Sequence, residues 1–168
     1  MTGAPVEPGR GECPPSAAGG QRGPSAASGQ RGPSAAGGQR PPIRPGDELE
    51  LRVTPDRYLT IRYAGASGDF NPIHIDDELA RRVGLPGRIL HGLWTMSQVA
   101  RAHTERFGGP GRLKRLHVQF RGMGVMEREV LVTGRVREVR EDGSAIVDCE
   151  ARQDSRRLVR NGVAEIRP

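Results

Sequence analysis

The sequence predicts an α+β domain in which an antiparallel sheet wraps around one buried helix. The most apolar helical pattern of the chain lies over residues 89–107 and ends at the Gly-Gly-Pro-Gly of residues 108–111. The chain then changes to the two-residue periodicity of half-buried strands and keeps it to residue 166. A helix that is this apolar at its start is buried, and the strands that follow can form the sheet that covers it.

The first quarter of the chain is set apart by its composition. Residues 1–44 contain a nine-residue repeat that begins at Pro15 and returns with small changes at Pro24 and Pro33. This segment is rich in Pro, Gly, Ser and Ala, so it cannot bury enough apolar surface to offset the entropy of ordering. We predict a disordered tail over residues 1–44 and one folded domain over residues 45–168. The repeat is a flexible tether, translated repetitive DNA, or the result of a start codon placed too far upstream.

The distribution of charge argues against a nucleic-acid partner. The formal net charge is +6, of which the tail supplies +3 from five arginines and two glutamates, leaving +3 for the folded part. In the folded part arginines alternate with acidic residues, and aromatic residues are scarce. Nucleic-acid binding usually concentrates basic side chains on one face and adds aromatic side chains for stacking.

Cysteine content and hydropathy predict a cytoplasmic protein that does not enter a membrane. Cys13 lies in the tail and Cys149 in a predicted strand, so we expect neither a disulfide framework nor a paired-cysteine metal site. The N-terminus lacks the apolar core of a signal peptide, and no apolar run approaches transmembrane length.

Ahead of the buried helix, the sequence predicts a strand and two shorter helices. Residues 48–53 have the pattern of a strand, and the Thr-Pro-Asp of residues 54–56 is typical of a helix start, with an end near Ala66. Residues 69–74 are predicted as an irregular loop because they contain an Asn-Pro pair. The acidic residues that open the segment 76–83 predict the second helix.

After the buried helix, alternating apolar residues predict four strands around residues 116–120, 130–136, 145–151 and 158–166. The Asp-Gly pair at residues 142–143 is a typical hairpin turn. The Asn-Gly pair at residues 161–162 has similar chemistry, but only six residues follow it. We therefore predict a β-bulge at that pair, inside the last strand.

The segment 67–74, Ser-Gly-Asp-Phe-Asn-Pro-Ile-His, concentrates the candidate chemistry. An imidazole titrates near neutral pH, and a nearby carboxylate can fix its tautomer, so Asp69 and His74 suit an acid/base pair. Taken singly, Asp69 is also explained as a turn residue and His74 as a hydrogen-bonded structural histidine. Asn71 is expected to hold the segment through backbone hydrogen bonds rather than to react.

Two sequence blocks resemble a known family. They are residues 63–74, Tyr-Ala-Gly-Ala-Ser-Gly-Asp-Phe-Asn-Pro-Ile-His, and residues 89–96, Ile-Leu-His-Gly-Leu-Trp-Thr-Met. At this spacing they look like the signature of the MaoC-like dehydratases, the family of (R)-specific enoyl-CoA hydratases. Residues 76–84 are also similar to the catalytic B subunits of bacterial (3R)-hydroxyacyl-ACP dehydratase complexes. The resemblance covers residues 43–168.

The resemblance implies a hot-dog fold, in which a curved antiparallel sheet wraps around a long central helix. It implies that two such domains pair, as a homodimer or as a heterodimer with another hot-dog subunit. The implied reaction is hydration of trans-2-enoyl thioesters, or dehydration of (3R)-hydroxyacyl thioesters, in fatty acid metabolism. The implied substrate is an acyl-CoA or acyl-ACP that carries its own pantetheine arm, and no metal or other cofactor is implied.

The resemblance also implies roles for single residues. Asp69 and His74 become the catalytic dyad, and the backbone N–H of Gly92 becomes the donor to the thioester carbonyl, with Asn71 and His91 in support. The first turn of a helix has unpaired N–H groups and a favourable dipole, and glycine leaves room for a thioester to approach. His91 is expected to be a structural residue that leads into Gly92.

The central helix departs from the family pattern. Some hydratases of this family carry a serine about two turns along the helix, where this chain has Ala100, with Ser97 one turn earlier. Trp94 is bulkier than the aliphatic residue we expect, and it would shorten or reshape an acyl pocket. His103 and His117 belong to no motif and are predicted to be exposed or half-exposed.

Two other functions stay open at the level of sequence. A non-catalytic hot-dog subunit could shape the acyl tunnel of an active partner, although such a subunit could dispense with the dyad that is present here. A hot-dog thioesterase would bind the same acyl thioesters but would release a free thiol.

Overall fold

The computed structural model describes residues 42–168 of the chain. Within this range the elements are β1 (Glu48–Val53), α1 (Leu59–Ser67), α2 (Pro72–Ile75), α3 (Asp77–Arg82), α4 (Gly92–Phe107), a 3₁₀ turn (Pro110–Arg112), β2 (Leu113–Phe120), β3 (Val130–Val139), β4 (Ala145–Gln153) and β5 (Arg156–Ile166). The predicted tail over residues 1–44 falls almost entirely outside the described residues, so the domain boundary at residue 45 stays a prediction.

The strands form one antiparallel sheet in the order β1-β3-β4-β5-β2, and α4 packs against all five of them. The core between α4 and the sheet contains Val99, Phe107, Val132, Val147 and Ala164. Burial of each large apolar side chain contributes roughly 1.5–3 kcal/mol, so this shared core is the main source of stability. The predicted α+β architecture is confirmed.

Both turn predictions in the sheet are confirmed. Gly143 has a φ of +79°, and the N–H of Arg140 donates to the carbonyl of Ser144 at 2.8 Å, which closes the β3–β4 hairpin. In β5, the pairing register with both β2 and β4 shifts around residues 160–162, where Asn161 has a φ of +48°. A positive φ suits asparagine better than most residues, which explains the bulge at this pair.

Helix α1 begins later than predicted. The sequence suggested a start at residues 54–56, whereas the first helical residue is Leu59. The carbonyl of Pro55 accepts a hydrogen bond from the N–H of Glu127 at 2.7 Å, and the N–H of Leu59, which would bond to it in an α-helix, donates to the carbonyl of Asp56 at 3.1 Å instead. The carboxylate of Asp56 instead accepts from the N–H of Tyr58 at 2.8 Å and forms a turn ahead of the helix.

Helix α4 begins at Gly92, three residues after the predicted start at Ile89. The N–H of Ile89 donates to the carbonyl of Ile73 at 3.1 Å, and the N–H of Leu90 donates to the carbonyl of Gly124 at 2.8 Å. These long-range bonds keep the approach to the helix non-helical. Neither α4 nor any other helix within residues 42–168 is long and apolar enough to cross a membrane.

The two histidines without a motif have opposite environments. His117 on β2 is exposed, as predicted. The prediction for His103 was wrong, because its side chain is fully buried at 0% exposure. Its Nδ1–H donates to the carbonyl of Val99 one turn earlier at 2.7 Å, which satisfies one ring nitrogen, while Nε2 is buried without a partner among the described residues.

Candidate active site

The predicted loop at residues 69–74 contains a single helical turn, α2, which carries His74. The side-chain oxygen of Asn71 accepts from the N–H of Ile73 at 3.3 Å and caps this turn. Pro72 occupies the first helical position, where its missing N–H has no partner to lose. The loop prediction was therefore wrong for residues 72–74, which are helical because the Asn71 cap and Pro72 start a short helix.

Asp69 and His74 lie close together, with Asp69 Oδ2 4.0 Å from His74 Nε2. The backbone N–H of Asn71 donates to Asp69 Oδ1 at 3.2 Å, which orients the carboxylate. The Asp69 side chain is 49% exposed and the His74 side chain is 10% exposed. The pair is therefore reachable from solvent on the carboxylate side, and its two facing atoms are too far apart for a direct hydrogen bond.

The protonation of the His74 ring follows from its hydrogen bond. Nδ1 lies 2.8 Å from the carbonyl oxygen of Ile89. Because a carbonyl only accepts hydrogen bonds, Nδ1 carries a proton, and in the neutral ring the lone pair is on Nε2. The basic nitrogen is thus the one that faces the Asp69 carboxylate.

His91 is the third buried group at this site, at 2% exposure. Its ring stacks on His74 with centroids 3.9 Å apart and an angle of 26° between the planes, and it also contacts the ring of Tyr63. His91 Nε2 lies 3.1 Å from the Asp69 carbonyl oxygen, so Nε2 carries the proton. Burial lowers the pKa of His91, and this effect exceeds that of its bond to Asp69, so the ring is neutral near pH 7.

Gly92 begins α4 directly after His91, and no side chain caps this end of the helix. The N–H groups of a first helical turn have no acceptor within the helix and point along the positive end of its dipole. Gly92 is exposed, and a Cβ placed on it would lie 3.4 Å from the ring of Phe120. Gly92 thus lies in the first turn of the buried helix, as expected, with an open backbone beside the rings of His74 and His91.

Asp69, His74 and His91 each offer a ligand atom, and these atoms lie within 4.8 Å of one another. A metal ion binds a histidine in the plane of its ring, along the nitrogen lone pair. The two rings are stacked with centroids 3.9 Å apart and 26° between their planes, so the planes do not meet within metal-bonding distance and one ion cannot lie in both. This arrangement fits proton transfer better than metal binding.

The side chains in the first two turns of α4 have different environments. Trp94 is 7% exposed and belongs to the core, whereas Leu93 is 61% exposed. The Ser97 hydroxyl donates to the carbonyl of Trp94 at 2.7 Å, so it is engaged with its own helix. Phe120, at the end of β2, is 47% exposed next to Gly92 and was not identified from the sequence.

Asp77 and Arg88 were not identified from the sequence as site residues, although they support the site. Asp77 Oδ1 accepts from the backbone N–H of Arg88 at 3.0 Å, and Oδ2 accepts from its Nε at 3.0 Å. The Arg88 side chain is only 18% exposed. This pair, the Asp77–Arg88 brace, fixes the backbone immediately before Ile89, whose carbonyl orients His74.

Sequence comparison identifies the family. The model of the MaoC-like domain matches residues 40–156, and the chain belongs to this family. The probable enoyl-CoA hydratase 2 of Dictyostelium discoideum is 37% identical over 79 residues, which cover 46% of this chain and 26% of that protein. Another relative is the peroxisomal hydratase-dehydrogenase-epimerase of Saccharomyces cerevisiae, and this chain spans only 7% of the length of that protein.

Solved structures confirm the predicted hot-dog fold. The (R)-hydratase from A. caviae, which takes part in PHA biosynthesis, superposes with a TM-score of 0.69 at 22% identity, covering 74% of this chain and 96% of that chain. A chain of the ChsH1-ChsH2 complex from Mycobacterium tuberculosis gives a TM-score of 0.66 at 22% identity, covering 74% and 97%. At this identity the likeness establishes the shared fold.

Proposed function

We propose that this chain is a hydro-lyase that reversibly adds water to trans-2-enoyl thioesters and forms (3R)-hydroxyacyl thioesters in fatty acid metabolism. The observation that carries the proposal is the 4.0 Å separation between His74 Nε2, a basic nitrogen, and Asp69 Oδ2. Membership of the MaoC-like family supports the class of reaction.

The dyad is suited to hold the reacting water. Two acceptor atoms 4.0 Å apart can each receive one hydrogen of a single water that lies about 2.8 Å from both. The water oxygen bonds to C3 of the substrate as one of its protons passes to the dyad, and the electrons of the C2=C3 bond move toward the thioester oxygen. The dyad then delivers a proton to C2. Each such acid/base contribution is typically worth about 10²–10⁴ in rate.

Gly92 is placed to serve the other end of the substrate. Negative charge grows on the thioester oxygen as water adds, and an N–H at the positive end of a helix dipole stabilises that charge. The absence of a side chain at Gly92 allows the carbonyl to come within hydrogen-bond distance. We therefore assign the water to Asp69 and His74 and the carbonyl to the Gly92 N–H.

We propose that the reaction uses no metal or redox cofactor. Hydration neither oxidises nor reduces the acyl chain, so it requires no electron acceptor. The activating group is the thioester itself, carried by the CoA or ACP pantetheine arm of the substrate. The stacked geometry of His74 and His91 also favours proton transfer over metal binding.

We further propose that the domain pairs with a second hot-dog domain, from the same chain or from another subunit, and that it acts in the cytoplasm. Strand β2 forms one edge of the sheet, and Leu93 and Phe120 leave apolar surface exposed near it. A free edge with adjacent apolar side chains is a typical place for another sheet to associate. The ChsH1-ChsH2 complex is one assembly of this fold.

The direct test is the loss of enoyl absorbance with purified protein and short, medium and long trans-2-enoyl thioesters of CoA and ACP, followed by chiral analysis of the product. Asp69→Asn and His74→Gln should each reduce turnover by about 10²–10⁴-fold while the protein stays folded, which thermal melts can check. Asp154→Asn and His117→Gln are matched controls on exposed residues and should retain activity.

The same assay separates the competing functions. Wild-type protein that is inactive on the whole panel would contradict the proposed reaction. Release of free thiol, detected by a thiol-trapping reagent, would indicate a thioesterase instead. Activity that appears only after addition of a second hot-dog chain, and that survives substitution of the dyad here, would indicate a non-catalytic partner subunit.

A further inference from the structure

His91 contacts the two members of the dyad through different parts of its ring. Its Nε2–H donates to the backbone carbonyl of Asp69 at 3.1 Å. Its face stacks on the ring of His74 at a centroid distance of 3.9 Å. No other described side chain makes contacts of both kinds, so His91 physically connects two catalytic groups that lie on separate turns of the backbone.

Packing alone does not account for a histidine at this position. His91 Nδ1 is buried and has no hydrogen-bond partner among the described residues. A buried polar atom without a partner is unfavourable, and a phenylalanine would fill a similar volume without it. The property that phenylalanine lacks is the Nε2–H that reaches Asp69.

The charge state of His91 is also compatible with its position. The ring is neutral because burial disfavours its protonated form. A charged His91 would repel His74 at 3.9 Å at the moment when His74 takes up a proton from water. A neutral ring can support the imidazole of His74 in both of its protonation states.

We propose that His91 is a positioning residue that fixes Asp69 and His74 relative to each other. The Nε2–H anchors the backbone of Asp69, and the ring face supports the imidazole of His74, so that Oδ2 and Nε2 keep their 4.0 Å separation. The catalytic part of this inference rests on the proposed hydration reaction, whereas the structural part does not.

Three substitutions separate the two contacts. His91→Phe keeps a flat ring but lacks the donor, His91→Gln keeps a donor at the Nε2 position but lacks the ring, and His91→Ala removes both. We expect His91→Ala to lower kcat by about 10²-fold, the loss typical of a misplacement of about 1 Å, with little change in KM. The Phe and Gln variants should each recover part of that loss.

His103→Phe is the matched control. His103 is also a buried histidine with one ring nitrogen that has no partner among the described residues, but it lies farther along α4 and belongs to no part of the proposed site. It should shift the melting temperature without lowering kcat. A His91→Ala variant with wild-type kcat would overturn the inference. The two variants should be compared at temperatures equally far below their own melting temperatures. An equal loss of kcat in His91→Ala and His103→Phe would also overturn the inference.

A second measurement does not depend on any substrate. The chain has four histidines, so the ring signals of His74 can be assigned by NMR with single substitutions. His91→Gln should shift the His74 ring signals because it removes the ring current of the stacked imidazole, whereas His91→Phe should preserve much of that effect. Unmoved His74 signals in His91→Gln would overturn the stacking. If the signals shift but the protein turns over no thioester, the stacking of His91 on His74 is supported and the proposed reaction is contradicted.

Discussion

Gly92 combines two properties that most substitutions change together, an open backbone N–H and the absence of a side chain. Proline is well tolerated at the first position of a helix, where its missing N–H breaks no helical bond. The preceding residue, His91, has φ −62° and ψ 133°, which is the extended conformation that a following proline requires. The N–H of Gly92 can therefore be removed without breaking α4.

We predict that Gly92→Pro lowers kcat by about 10²–10³-fold, the usual effect of losing one donor to a developing oxyanion. Gly92→Ala should lower it less, because its methyl group meets the Phe120 ring at an ordinary contact distance of 3.4 Å and leaves the N–H in place. Steady-state kinetics and thermal melts of both variants test this. A Gly92→Pro variant that keeps the wild-type kcat would exclude the donor role.

At the scale of elements, the site depends on how α3 is joined to the approach to α4. The Asp77–Arg88 brace connects the first residue of α3 to the backbone just ahead of Ile89. Arginines 81 and 88 surround the Asp77 carboxylate, and its hydrogen bond to the Arg88 N–H, the largest influence, holds the pKa of Asp77 below its ordinary value. The carboxylate is therefore charged at neutral pH and binds Arg88 through both oxygens.

We predict that Asp77→Ala lowers the free energy of unfolding by about 1–3 kcal/mol, because it leaves the N–H and the Nε of Arg88, whose side chain is largely buried, without their acceptor. It should also lower kcat, since the Ile89 carbonyl loses its fixed position. Urea unfolding and kinetics measure the two effects.

The neighbouring substitution Glu78→Ala is the control for this prediction. The Glu78 side chain is 89% exposed and forms only a 3.8 Å ion pair with Arg82, so its loss should change stability by less than about 1 kcal/mol. If Asp77→Ala and Glu78→Ala behave alike, the brace does not support the site.

At the scale of the whole molecule, two buried histidines couple folding to pH. Burial lowers the pKa of both His91 and His103 in the folded state. The unfolded chain therefore binds more protons than the folded chain once the pH falls below the ordinary histidine pKa of about 6.5. The folded protein is therefore most stable above that pH, and it loses stability as the pH falls toward the lowered pKa values of the two histidines.

We predict that the urea concentration at the unfolding midpoint decreases as the pH is lowered from about 7.5 to about 5.5. In this range the carboxylates with lowered pKa stay charged. His103→Phe should reduce this fall, since it removes one of the two buried groups. His117→Gln should leave the fall unchanged, because His117 is exposed. A midpoint independent of pH in the wild type would contradict the coupling.

The start of the domain gives a further prediction at this scale. Ile43 packs against the core, and Gly46 and Asp47 exchange backbone hydrogen bonds with Val136 at 2.8 Å. Removal of residues 1–41 should therefore leave both the melting temperature and the activity unchanged. Removal of residues 1–47 should lower the melting temperature. A large loss of stability in the shorter deletion would show that the repeat segment contributes to the fold.

Local signals were enough to predict most of the fold. Alternating apolar residues predicted the strands, and Asp-Gly and Asn-Gly pairs predicted the hairpin at Gly143 and the bulge at Asn161. Helix starts were predicted less well, because the backbone at Pro55 and Ile89 is bonded to residues far away in the chain. Such partners override the local preference for a helix.

For the site, the sequence by itself determined which groups are present, because Asp69, His74 and Gly92 belong to two motifs at a recognisable spacing. Only the tertiary structure decided how they can act. The Ile89 carbonyl, fifteen residues from His74, selects the basic nitrogen, and the Asp77–Arg88 brace holds that carbonyl. The stacking of His91 on His74 and the burial of His103 likewise depend on packing between segments. A hydrogen bond or a desolvated ring depends on which atoms meet in space, and that is set only when the elements pack together.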